Sequence, residues 1–310
     1  MLLLERKKNM KFSWIYDLPT SLQVKSYLKT KGISRSLLAK IKFHGGKIEV
    51  NETEVTVRYL LKNKDTVQIT IPDEAPHETT IPIDIPIDIV YEDEHYLIVN
   101  KPFGVASVPS QVHPEGTMAN RVKGYYVRQN YDNQVIHIVT RLDRDTTGLM
   151  LFAKHGYAHA LMDEKLRAKE ITKKYTALIS GQFNESEHGF IDAPIARTTD
   201  SIITRRAHES GKEALTEYWI KESFPQATLV DIQLHTGRTH QIRVHFAHIG
   251  HPLMGDDLYG GKKNEWIVRQ ALHCRELNFK HPFTDEIISL KLDYPEDITQ
   301  WLHQQQKVNS

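Results

Sequence analysis

Apolar residues recur at helical spacing early in the chain and then at every second position, so the sequence opens with helices and continues in strands. Leu22, Val24 and Leu28 share one helical face. Thr20 and Gln23 are spaced as a capping box before it, and Gly32 closes it. Ser34 precedes a second face of Leu37, Leu38 and Ile41, which ends at Gly45-Gly46. The period then falls to two. Ile48 and Val50, Val55 and Val57, and Val67, Ile69 and Ile71 read as strands of a small sheet.

Further on, strands and helices alternate. An apolar run at 96–99 stops at Asn100-Lys101-Pro102, and Ile136, Ile138 and the run 149–153 flank a charged loop. Ala158, Leu161, Met162 and Leu166 predict a helix, while 175–179, 216–220 and 229–234 predict strands. There is no internal repeat.

Composition adds class but not function. The 310 residues are 40% apolar and 25% charged, as in a soluble globular protein, and the length accommodates one large domain and one small one. The net charge of +1 hides a division along the chain. Residues 1–72 carry fourteen Lys/Arg against six Asp/Glu, a net of +8; residues 73–100 carry eight acidic residues and no Lys or Arg, a net of −8. With Pro72, Pro76, Pro82 and Pro86, the acidic stretch reads as a linker. The expected organisation is a small domain over 12–72, an acidic linker over 73–87 and a large domain over 88–306.

The single cysteine, Cys274, supports neither an internal disulfide nor a cysteine zinc site, and reads as a buried structural thiol in a cytoplasmic protein. The opening Met-Leu-Leu-Leu precedes its charges, the reverse of a signal peptide, and Met10 is an alternative start. No window is long and apolar enough to span a membrane, so no membrane partner is expected.

Candidate chemistry begins in the small domain. Arg35, Lys40, Lys42, His44 and Lys47 gather on the second helix and the loop after it. Alone, they describe a solvated lysine-rich face as readily as a surface for phosphates. The run Gly32-Ile33-Ser34-Arg35-Ser36-Leu37-Leu38-Ala39-Lys40-Ile41, followed by Gly46-Lys47-Ile48-Glu49-Val50-Asn51, resembles the S4-type RNA-binding domain. That family usually has Gly after the Asn, where this chain has Glu52.

In the large domain, the loop of Val139 to Thr146 holds Arg141, Asp143, Arg144 and Asp145 between two apolar strands. By composition it could be a charged turn with its own ion pairs. Lys173-Lys174-Tyr175 and the stretch from His235 through Gly237-Arg238-Thr239-His240-Gln241-Ile242-Arg243-Val244-His245 change that reading. Together with Thr140-Arg141-Leu142-Asp143 and Thr147-Gly148, they resemble the motifs of the RluA-type RNA pseudouridine synthases. The resemblance includes Asn100-Lys101-Pro102-Phe103-Gly104 and the run from Gly250 to Asp256. The family's usual His before Arg-Leu-Asp is Thr140 here, and its usual Ser before Gly148 is Thr147.

The resemblance implies an α+β fold, a mixed and mainly antiparallel sheet with a small S4-like domain. It also implies isomerisation of uridine in ribosomal or transfer RNA, without a cofactor or an obligatory protein partner. Asp143 would be the carboxylate acting at the ribose, either as nucleophile or as base. Arg243 would hold it ionised, ideally in a bidentate pair. Tyr175 would lie against the uracil and could move a proton at C5. Arg141 would fill the space of a flipped base, although an ion pair to Asp145 accounts for it equally well. Lys154 would tune the pocket or bind phosphate, or simply end a strand in solvent.

Three rivals stand against this. His240, His245, His248 and His251 lie near Asp256 and invite a metal site, but the spacing lacks His-Glu-x-x-His. A non-catalytic RNA-binding scaffold is the second rival. A deaminase or glycosidase is the third, and it lacks Pro-Cys-x-x-Cys and a marked second acid.

Overall fold

The alternation over 48–71 builds a four-stranded antiparallel sheet in the order β1-β4-β2-β3, from β1 (Met10–Ile15), β2 (Lys47–Val50), β3 (Thr53–Glu54) and β4 (Thr66–Ile71). The computed structural model describes residues 10–74, 80–183, 186–198, 201 and 203–308. Residues 1–9, and Pro76 in the acidic stretch, lie outside these. Helices α1 (Val24–Thr30) and α2 (Arg35–Phe43) cover the sheet and close a core of Val24, Leu28, Ile41, Leu61, Val67 and Ile69.

Three local expectations are corrected by the fold. Strand β1 was not expected, although Met10, Phe12 and Trp14 alternate with Lys11 and Ser13, and it pairs along its whole length with β4. The Thr20–Gln23 capping box is absent. Gln23 is the cap and makes no side-chain bond, and the orphan N–H groups of Val24 and Lys25 go instead to the carbonyls of Tyr59 and Val57 at 3.0 Å. Val55 keeps one bond to the sheet, its N–H donating to the Ile48 carbonyl at 3.0 Å, while Val57 leaves it because its carbonyl serves the start of α1. Ser34 does cap α2, accepting from Leu37 N at 3.1 Å. The turn before β3 runs through left-handed Asn51 (φ 49°) and Glu52 (φ 66°), so Glu52 occupies a conformation suited to glycine.

The larger sheet has ten strands among the described residues. It contains β5 (Asp88–Glu92), β6 (Tyr96–Lys101), β7 (His137–Ile138), β8 (Thr147–Ala153), β9 (Thr172–Ser180) and β10 (His188–Asp192). A separate two-stranded ribbon joins β11 (Ile195–Arg197) to β12 (Arg205–Ala207). The sheet is completed by β13 (Leu215–Ser223), β14 (Ala227–Leu234), β15 (Leu272–Lys280) and β16 (Ile287–Lys291). Its order is β10-β13-β14-β9-β15-β8-β6-β5, with β16 on β15 and β7 on β8. Only the β8–β15 pairing is parallel, so the sheet is mixed and mainly antiparallel, as the motifs implied.

Strand β8 is buried at all seven positions and reads as a continuous apolar run because protein covers both its faces. Gly148 at its start has φ 111°, and a Cβ there would sit 2.2 Å from the Cys274 carbonyl oxygen, so glycine lets β8 and β15 meet beside the Asp143 loop. The helices are α3 (Met118–Arg128), α4 (Gly156–Arg167), α5 (Gln241–His248) and α6 (Glu296–Val308). Ile298 and Trp301 of α6 pack with Leu178 and Phe224 in a second core cluster.

Helix α4 joins the two sheets. Tyr157 donates to the Lys31 carbonyl and meets Phe12 edge-on at 4.9 Å, and Phe283 stacks on Phe12 at 5.5 Å. The acidic stretch is anchored rather than free. Glu74 accepts from Gly156 N at 2.7 Å and pairs with His137, while Ile81 and Ile83 bond Asn120 of α3.

Candidate active site

The loop between β7 and β8 is held by its backbone, which leaves its side chains available. Buried Ser107 takes the Leu142 N–H at 3.0 Å and donates to the Leu142 carbonyl at 2.6 Å. Lys101, fully buried at the end of β6, donates to the carbonyls of Arg144 (2.7 Å), Val105 (2.7 Å) and Pro102 (2.9 Å). Burial pulls its ammonium down to about 7, yet three carbonyls demand three donors, so the site is built for the charged form. Arg269, also buried, donates to the Asp145 carbonyl at 3.0 Å and to Thr147 at 3.3 Å, and pairs with Asp297 of α6. Thr140 accepts from Leu151 N, and Thr147 bonds His273 Nδ1 at 2.8 Å. Both departures from the family's usual residues are therefore structural hydroxyls of this clamp.

Asp143 emerges from the clamp with its side chain 28% exposed. Arg243, from α5, places Nη1 3.2 Å from Asp143 Oδ2. The bidentate pair expected between Arg243 and Asp143 is not formed; Arg243 makes it with Asp256 instead. Arg243 Nε and Nη2 engage Asp256 Oδ2 and Oδ1 at 2.7 and 2.8 Å, and Asp256 is fully buried. Burial alone would pull the guanidinium's pKa down, but Asp256 and then Asp143 hold it above its ordinary value. The physical consequence is charge sharing. One cation stands between two carboxylates, so Asp143 is oriented by an arginine whose charge Asp256 already balances.

His240 Nε2 lies 3.8 Å from the same Asp143 Oδ2, and its Nδ1 is 2.8 Å from Tyr259 Oη. The Tyr259 ring faces the Arg243 guanidinium at 5.0 Å. No hydrogen bond reaches Asp143 Oδ1 from the described residues.

Tyr175, on β9, is 5% exposed and pairs in register with Cys274. Burial, then Cys274 and Asp143, push its phenol well above the ordinary tyrosine value. A phenol held neutral this firmly is suited to packing against a ring and ill suited to ionising. Burial pushes the Cys274 thiol up to about 11, which makes it the inert thiol expected.

Arg141 is exposed, and Asp145 pairs with Arg144 instead, at 2.7 Å. Arg35, Lys40, Lys42 and Lys47 are exposed on α2 and at the start of β2. Lys42, Lys47 and Arg58 line a groove floored by Ile41, Ile48 and Val57. Lys154 is at neither place. It bonds Glu92 and the Asp93 carbonyl and faces the Tyr131 ring, at the end of β8 away from the Asp143 loop. The clustered histidines diverge: His245 bonds the Ala193 carbonyl, His251 the Ser180 carbonyl and His240 Tyr259. Among the described residues no group of three His, Cys, Asp or Glu is arranged to hold a metal.

Sequence reasoning missed four members of the site. Asp256 and His240 stood inside the family motifs, and Lys101 closed an apolar strand; Tyr259 carried no signal.

The signature of the RNA pseudouridylate synthase family matches residues 95–248. A Bacillus subtilis (strain 168) protein named uncharacterized RNA pseudouridine synthase YjbO is 43% identical over 278 residues, covering 90% of this chain and 97% of that protein. The ribosomal large subunit pseudouridine synthase D of Yersinia pestis is 40% identical over 235 residues, 72% of this chain and 71% of its own. The solved structure of human RNA pseudouridylate synthase domain containing 4 superposes with a TM-score of 0.59 at 23% identity, over 71% of this chain and 93% of that one, a likeness of fold.

Proposed function

The chain belongs to the RNA pseudouridylate synthase family and is an isomerase that converts uridine in RNA to pseudouridine, and on that premise we propose that Asp143 is its catalytic carboxylate, with Arg243 and Tyr175 completing the site. The reaction breaks the N1–C1′ bond, turns the base and forms C1′–C5; C5 loses its hydrogen and N1 gains one. No electrons are exchanged, and no cofactor is needed. A carboxylate attacking C1′ and one removing a ribose proton both need an ionised group with one free oxygen. The observation that carries the reading is Asp143 itself. Its Oδ2 is held by Arg243, and its Oδ1 takes no hydrogen bond from the described residues.

Tyr175 would pack against the uracil, and exposed Arg141 would occupy the stack the base leaves. We read residues 12–72 as an S4-like domain whose Arg35, Lys40, Lys42 and Lys47 hold RNA phosphates, 73–87 as the acidic linker and 88–306 as the catalytic domain. The relatives named for the large ribosomal subunit favour ribosomal RNA as the substrate, and the single cysteine fits a cytoplasmic setting. No helix among the described residues is long and apolar enough to cross a membrane.

The test uses RNA tritiated at C5 of uridine. Wild-type protein should release tritium to water, and Asp143→Ala should bind the RNA and release none. Turnover by Asp143→Ala would remove Asp143 from the catalytic role. Replacing Arg35, Lys40, Lys42 and Lys47 with alanine should weaken binding and flatten its salt dependence, by roughly 0.7 in log–log slope for each phosphate no longer neutralised.

A further inference from the structure

The loop-to-helix turn that carries His240 has an unusual backbone. His240 caps α5 in the left-handed region, at φ 58° and ψ 20°, and makes no side-chain capping bond. A non-glycine residue there is strained, and such strain persists where the surroundings hold it in place. The surroundings here are specific. Nδ1 is 2.8 Å from Tyr259 Oη, and Nε2 faces Asp143 Oδ2 at 3.8 Å.

Tyr259 decides which ring nitrogen carries the proton. Its oxygen accepts the Arg205 backbone N–H at 3.0 Å. With that lone pair engaged, the arrangement favours its own O–H pointing at Nδ1 as the unprotonated nitrogen. The far side of the ring agrees, because a bare nitrogen lone pair facing a carboxylate is repelled and an N–H is attracted. A doubly protonated ring is disfavoured by burial and by the neighbouring Arg243 and Arg205, which outweigh the pull of Asp143 and Asp256.

We infer that His240 is a positioning residue, a neutral imidazole locked by Tyr259 as the Nε2–H tautomer, which faces Asp143 Oδ2 with an N–H at 3.8 Å beside the Arg243 hydrogen bond and so favours the orientation that keeps Oδ1 turned to the substrate. This rests on Asp143 being the reacting carboxylate. The arrangement makes chemical sense because a neutral donor orients the carboxylate without adding a cation that would deaden it. Arg243, balanced by Asp256, acts in the same manner.

The first test is spectroscopic and independent of turnover. Long-range ¹H–¹⁵N correlation on histidine-labelled protein near pH 7.5 should show the His240 Nε2 protonated and Nδ1 bare. Tyr259→Phe should replace that single tautomer with a mixture. A wild-type ring found as the Nδ1–H tautomer or as imidazolium overturns the inference. The second test is kinetic. Asn tolerates the left-handed backbone and can still meet Tyr259 but does not reach Asp143, so His240→Asn should slow single-turnover tritium release about tenfold with little change in RNA affinity. His240→Gln, whose amide reaches the Nε2 position, should restore most of the rate. Equal rates for wild type and His240→Asn would also overturn the inference. Failure of Asp143→Ala to lose activity would instead strike the assignment of Asp143, and the tautomer measurement would still stand.

Discussion

Asp256 offers the sharpest test of the charge-sharing site. Its side chain is fully buried and that of Arg243 is 7% exposed, and the two meet through paired contacts at 2.7 and 2.8 Å. Asp256→Ala leaves a buried guanidinium with a single 3.2 Å hydrogen bond to Asp143. Removing one partner of a buried ion pair costs about 3–5 kcal/mol. In a domain of this size that corresponds to a melting temperature lowered by roughly 10 °C. Asp256→Asn keeps the volume and one acceptor, so its thermal cost is smaller, about 2 kcal/mol. Its effect on chemistry is distinct. Arg243 then turns its whole charge on Asp143, which becomes a weaker base and nucleophile. Turnover should fall about tenfold while RNA affinity stays near wild type. Thermal unfolding followed by tryptophan fluorescence and tritium release at saturating RNA read the two effects. A melting temperature for Asp256→Ala within about 2 °C of wild type, together with wild-type turnover by Asp256→Asn, would refute the reasoning.

Lys101→Met should show the opposite balance. It frees the fold of an ammonium whose burial, drawn from about 10.5 to about 7, costs on the order of 5 kcal/mol, and it leaves three carbonyls unbonded at about 1–3 kcal/mol each. The melting temperature should move little while tritium release falls more than tenfold; a stable variant with full turnover would show that the ammonium does not hold the loop. Acid should loosen the seam around α4. Glu74 is depressed to about 2, chiefly by His137 against the upward push of burial, so its stabilisation is present above pH 4.5 and lost as pH falls toward 2. Burial holds His155 down to about 3, so its contribution is present above pH 6.5 and lost between 6.5 and 3. Protection factors of the α4 amides, taken against intrinsic exchange at each pH, should therefore fall on acidification from pH 7 to 4, and Glu74→Gln should remove part of that dependence; protection factors flat over this range would contradict it. Glu52→Gly should raise stability by about 0.5 kcal/mol, since glycine relieves a left-handed backbone at some entropic cost, and a drop in the urea midpoint would count against the turn geometry.

Much of this protein was readable as a string. Helix and strand periodicity located α2, β4, β8, β9, β13 and β14, because those elements bury one face or both and must carry apolar residues at matching intervals. The motifs around Asp143, Tyr175 and Arg243 were enough to reach the family, since each is a short run of residues with its own pattern. What tertiary structure decided was partnership. Asp143 and Arg243 lie 100 positions apart, and the sheet and α5 bring them together. That Arg243 gives its bidentate grip to Asp256 depends on where α5 meets the loop after it. Asp256 is one of 39 acidic residues, and its burial has no local mark. Lys101 looked like the polar stop of an apolar strand and is instead wholly enclosed, because the turn that follows it, through the Pro102 and Val105 carbonyls, and the distant Arg144 carbonyl close on its ammonium. The start of α1 follows the same logic, completed by the Tyr59 and Val57 carbonyls elsewhere in the chain. Periodicity records which face of an element leaves water, a property of neighbouring residues. Hydrogen-bond and ion-pair partners are chosen by register and packing across the whole fold, and those exist only once the chain has closed.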